Sequence, residues 1–79
     1  MIYEIGDLIQ TSNCYHYAKI IKIIVGNPDW CIVKIYKFSC DKDCLVSHRC
    51  NLRDTLPCKR IIKKVTDQKT LDKIMVEEI

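Results

Sequence analysis

Four cysteines and one histidine crowd into nineteen residues of this chain: Cys40, Cys44, His48, Cys50 and Cys58. Thiolate and imidazole are the ligands that zinc prefers, and four of them in a tetrahedron close a structural site. The ligand types are therefore sufficient, but the spacing is not that of a zinc knuckle. Knuckles draw on tight pairs such as C-x2-C. Here three residues separate Cys40 from Cys44 and Cys44 from His48, then one leads to Cys50 and seven to Cys58. The same thiols could pair, for example as Cys40–Cys44 or Cys50–Cys58, or stay reduced and partly buried as small hydrophobes. The spacing favours reduced thiols, then zinc, then disulfides, and no other cofactor is indicated. The N-terminus shows neither a basic n-region nor a long apolar run with a cleavage site, which points to the cytoplasm, where thiols stay reduced.

A second thiol–imidazole combination is Cys14-Tyr15-His16. In a strand, residues 14 and 16 share a face, yet no third residue is placed to orient the base. With two histidines, two glycines and no phosphate-cradling loop, the chain reads as a non-enzyme.

The more promising chemistry is charge. The net charge is +3, but its distribution is uneven. Residues 30–64 hold nine Lys/Arg against three Asp, whereas the flanks on both sides are mildly acidic. The candidate binding set is Lys34, Lys37, Arg49, Arg53, Lys59, Arg60, Lys63 and Lys64, with Tyr36 and Trp30 nearby for stacking. Convergence of these cations on one face would suit a polyanion, through counterion release, or an acidic protein surface, through electrostatic steering. A solvated Lys-rich face is the bland alternative. The pI of 8.5 is modest for a dedicated nucleic-acid binder, so a protein partner ranks above DNA or RNA.

These residues need elements to hold them. Seventy-nine residues make a single domain with a small core. Gly6-Asp7 signals a turn into the short run Leu8-Ile9-Gln10, and residues 11–14 read as a loop or helix cap. Residues 15–25, "YHYAKIIKIIV", fit either a helix ending at Gly26 or a β-branched strand, with the strand favoured. Lys19 and Lys22, three apart, break strict alternation, so a strand there needs a bulge or two covered faces. Residues 30–38 read as a strand with Cys31, Val33 and Ile35 on one side and Lys34 and Tyr36 on the other. Residues 39–57 read as irregular or as short strands, and 58–65 as a late strand with a basic outer face. Residues 66–79 read as a helix with Thr66 as N-cap and Leu71, Ile74, Met75 and Ile79 on its apolar stripe. Glu77 and Glu78 oppose the helix dipole, which predicts a frayed last turn. No apolar run approaches the roughly 20 residues of a membrane-spanning helix.

The succession "YEIGDLIQT", "YAKIIKIIV", "DWCIVKIYKF", then "LR" and a basic strand, over residues 3–65, resembles the small Src-homology-3-like barrels, among them short proteins of bacteriophages and other mobile elements. The fold expectation is a mostly β domain over 1–79: a barrel or a strongly bent antiparallel sheet over 1–65, with a C-terminal helix over 66–79. That family covers nucleic-acid binders, peptide binders and inhibitors; the leading function expected is a binding module or small protein inhibitor acting through the basic surface, and the resemblance suggests a phage-encoded inhibitor of a nucleic-acid-targeting defence complex in the host cytoplasm. Direct DNA or RNA binding is the second expectation, and a zinc-stabilised structural protein the third.

Overall fold

The computed structural model describes residues 2–12, 16–36, 38 and 53–78. Five strands, β1 (Leu8–Thr11), β2 (Tyr17–Ile24), β3 (Trp30–Ile35), β4 (Arg53–Pro57) and β5 (Ile61–Lys64), precede one helix, α1 (Gln68–Glu78). They form one antiparallel sheet in the order β4-β3-β2-β1-β5. The chain is thus mostly β with a C-terminal helix. The sheet is open: β4 and β5 are its two edges among the described residues, so the closed-barrel alternative is not realised.

The register explains the sequence pattern. One face, here called inner, collects Ile9, Ala18, Ile20, Cys31, Val33, Ile35, Leu56 and Ile61, all buried, with contributions from every strand. β3 alternates as its sequence predicts, with Cys31, Val33 and Ile35 inward. β2 is a strand, and it has the bulge that its lysines require. Ile20 pairs with Val33 and Lys22 with Ile32, so Ile21 is the extra residue. A bulge resets the pleat, so Lys19 and Lys22 both point outward while Ile20 and Ile23 both point inward. A second irregularity lies between Gln10 and Thr11, opposite Ile61 and Lys63.

The turn before β1 needs Gly6. Its φ of 96° is the left-handed conformation that glycine adopts without steric cost. The Asp7 N–H donates to the Glu4 carbonyl at 3.1 Å, and the Asp7 carboxylate accepts from the Glu4 N–H at 2.8 Å. The β2–β3 turn is held the same way: the Asp29 carboxylate accepts from the Gly26 N–H at 2.8 Å.

Two expectations shift. The late strand begins only at Ile61, because Cys58–Arg60 form a 3-10 turn after Pro57. Lys59 and Arg60 therefore sit in that turn rather than on a strand face. The helix is capped by Asp67, one residue later than expected. Its carboxylate accepts from the Thr70 N–H at 2.9 Å and hydroxyl at 2.8 Å, reaching an orphan donor of the first turn. These bonds, the hydroxyl's first, hold the Asp67 carboxyl below its usual range.

α1 lies against the outer face of the sheet. Thr70 and Ile74 are buried and Leu71 is half-buried, whereas Met75 is exposed. Ile79 lies outside the described residues. The last turn is tied down rather than frayed: Glu78 accepts from the buried Tyr36 hydroxyl at 2.5 Å and pairs with Lys19 at 3.7 Å. Glu77 accepts from the Phe38 N–H at 3.3 Å. Tyr36 and Ile74 are both fully buried yet belong to no part of the inner cluster, so the helix and this end of the sheet make a second, smaller apolar layer.

Candidate interaction face

Antiparallel partners put their side chains on the same face, so the register maps the outer surface row by row. The first row, Lys63–Gln10–Tyr17, runs from β5 to β2 beside the start of α1. These residues, with Val65, Thr66, Asp67 and Thr70, line a cavity of about 340 Å³. Tyr17 stacks on Phe38 with ring centroids 5.9 Å apart, and Phe38 lies 6.2 Å from Tyr36. The second row is Arg53–Lys34–Lys19, with Lys34 directly opposite a cation on each side. The third is Thr55–Ile32–Lys22, and the last is Pro57–Trp30–Ile24.

α1 flanks the first row across that cavity, through Thr70, and reaches Lys19 of the second row through Glu78. Beyond this contact the outer face is open. Trp30 is 40% exposed and Ile24 43%, as a directly opposed pair. Lys22, Lys34, Arg53 and Thr55 are exposed around them. Among the described residues no acid belongs to these open rows. Asp54 pairs with Val33 and so belongs to the inner face.

The cation row has a local cost. Like charges directly opposite on a sheet destabilise it by roughly 0.2–1 kcal/mol a pair. Two devices offset part of this. Glu78 reaches in from the helix to Lys19, and the Lys34 ammonium sits over the Tyr36 ring, 5.6 Å from its centroid. The Tyr36 hydroxyl above all, then Lys19 and Lys34, holds the Glu78 carboxyl below its usual range. Burial, then the bond to Glu78, drives the Tyr36 phenol well above its ordinary value. Arg53 has no ion pair among the described residues.

The predicted binding set thus divides. Lys34 and Arg53 meet on the outer face. Tyr36 supports them from beneath: it is fully buried and offers no stacking surface. Lys63 belongs to the cavity beside α1. Lys64 pairs with Ile9 at the rim of the inner face and is bound to Asp7 at 3.4 Å. Lys59 and Arg60 are exposed on the 3-10 turn, and the Arg60 carbonyl accepts from Ser12 N–H at 3.1 Å. Lys37 and Arg49 lie outside the described residues. Lys19, Lys22, Ile24 and Ile32 complete the face and were missing from the set. The signal for the two lysines was their spacing of three in a β-branched run, which demands the bulge that turns both outward.

Of the metal candidates, Cys40, Cys44, His48 and Cys50 lie outside the described residues, as do Cys14 and Tyr15. Cys58 is half-buried and not in a disulfide, and it packs on the inner cluster that contains Cys31. Among the described residues no three His, Cys, Asp or Glu converge as metal ligands. No helix among them is long and apolar enough to cross a membrane. Comparison with known proteins finds no matching family model, no matching curated protein and no matching solved structure.

Proposed function

We propose that this chain is a small, non-enzymatic binding module that docks an acidic protein surface through the open part of its outer sheet face. The observation that carries the reading is the Arg53–Lys34–Lys19 row set beside the exposed Trp30–Ile24 pair, on a face whose open rows contain no acid among the described residues. A row of abreast cations weakens the isolated sheet, and an acidic partner would relieve it. Aromatic and arginine side chains are the usual anchors of such surfaces. Apolar area at the centre and cations at one border suit a protein partner with an apolar anchor and acidic surroundings, since charge then steers and orients while burial supplies affinity. The resemblance to small barrel proteins of mobile elements carries the narrower version: an inhibitor that covers a surface its partner needs for nucleic acid or for movement.

The single tryptophan makes the test direct, because Trp30 lies in the face itself. The chain is titrated with an acidic peptide carrying one central aromatic residue, and separately with a single-stranded oligonucleotide, while tryptophan emission is followed. The reading expects the peptide to shift emission to shorter wavelength as Trp30 leaves water. If only the oligonucleotide binds, and log affinity falls with log salt at a slope of about −0.7 per phosphate, the face is a nucleic-acid surface instead. An emission spectrum unchanged by either probe counts against the assignment of this face.

A further inference from the structure

Cys31 and Cys58 take no part in the surface described above. Cys31 is fully buried in the inner cluster, and its thiol donates to the Leu56 carbonyl at 3.7 Å. The Cys58 N–H donates to the Asp29 carbonyl at 2.9 Å. That bond continues the β3–β4 register one pair past Trp30–Pro57 and sets Cys58 opposite Asp29. Cys31 and Cys58 are then diagonal neighbours on the inner face. Diagonal neighbours have Cα atoms roughly 7–8 Å apart in a regular ladder, and their side chains can meet. Here Cys58 packs on the inner cluster that contains Cys31, and neither cysteine is in a disulfide.

From this juxtaposition we infer that Cys31 and Cys58 form a site of reversible intramolecular disulfide formation, closed by a low-molecular-weight disulfide as oxidant. Bridging requires Cα atoms within about 7 Å, so closing this diagonal pair draws the 3-10 turn slightly towards β3. Cys58 reaches solvent and is the entry thiol. Its thiolate attacks one sulfur of the oxidant, the external S–S bond breaks, and one small thiol leaves with a proton. Cys31 then gives up its proton, and its sulfur attacks the Cys58 sulfur of the mixed disulfide. The second small thiol leaves. Two protein thiols are oxidised and one external disulfide is reduced to two thiols. Burial above all, then the neighbouring Cys58 thiol, pushes the Cys31 thiol of the reduced pair up to about 12. The bond would tie β3 to the 3-10 turn from the side of the sheet opposite Trp30. It uses no residue of the proposed binding face.

The test uses the whole folded chain. After removal of reductant it is treated with oxidised glutathione, the remaining thiols are alkylated, and it is digested with trypsin without reduction. Cleavage after Lys22, Lys34, Arg53 and Lys59 leaves Cys31 and Cys58 in two peptides, 23–34 and 54–59, neither holding another cysteine. The expected product is these two peptides linked, two hydrogens lighter than their sum, as the dominant form of Cys58, and separated by reductant. Recovery of Cys58 mainly as its glutathione mixed disulfide, as an alkylated thiol, or bound to a peptide containing Cys14, Cys40, Cys44 or Cys50 overturns the inference.

Discussion

Removing one oxygen atom should loosen the helix from the sheet. In Tyr36→Phe the buried ring stays and only the hydroxyl that bonds Glu78 at 2.5 Å is lost. A hydrogen bond to a charged group contributes about 1.5–3 kcal/mol. Glu78 is a third exposed and keeps Lys19 at 3.7 Å, so water and the ammonium recover part of the loss. The expected cost is then at the lower end, about 1–2 kcal/mol, or a fall in Tm of roughly 4–15 °C for a domain of this size. Thermal and urea unfolding of Tyr36→Phe, Glu78→Ala and the double variant complete a cycle, and the two changes should not add, because they remove the same contact. The pH dependence has a definite sign. The folded Glu78 carboxyl titrates below its ordinary value of 4.5, so its contribution is fully present above that value and fades as pH falls through the lowered pKa. The gap between wild type and Tyr36→Phe should therefore narrow in acid. If the two unfold together at neutral pH, or if the single effects sum in the double variant, Glu78 does not fasten α1 to the sheet.

Two further changes probe the rest of the scaffold. Asp67→Ala should lower the melting temperature and Asp67→Asn should restore most of it, because the amide oxygen can still accept from Thr70; equal losses in both would mean that the cap is not what the carboxylate supplies. Ile20→Ala, at a fully buried position of the inner cluster, should cost about 2–5 kcal/mol in urea unfolding, whereas a loss under 1 kcal/mol would show that this cluster is not the core.

Much of the scaffold could be read from residue order. β3 was legible because Cys31, Val33 and Ile35 alternate with residues of the outer face, and α1 because Leu71 and Ile74 recur at helical spacing. β2 was ambiguous by propensity, and the pair Lys19–Lys22 held the answer as a demand for a bulge. Other features depend on partners distant in the chain. "RDTLP" has one large apolar residue and becomes β4 only by pairing with β3. Glu78 looks misplaced at a helix C-terminus until Tyr36 and Lys19 stand beside it. The site was half legible for the same reason. A basic segment announces cations, but only the register shows that Lys34 and Arg53 share a face with Lys19 and Lys22, that Lys64 is engaged by Asp7, and that Tyr36 lies beneath the surface. The Cys31–Cys58 juxtaposition was hidden by a separation of 27 positions, bridged only when β4 folds against β3.

The claim that the open outer face is the binding surface is tested most directly by quantitative capture from nuclease-treated lysate, comparing the wild type with Trp30→Ala/Arg53→Glu and with the helix-surface variant Lys73→Glu. None of the three changed positions is in the core, and the two exposed charges contribute about 0–1 kcal/mol each to stability, so each variant is first shown to be folded by circular dichroism. The account predicts that a protein retained by the wild type and by Lys73→Glu is lost from the outer-face variant. Equal retention by the outer-face variant, shown to be folded, would contradict it.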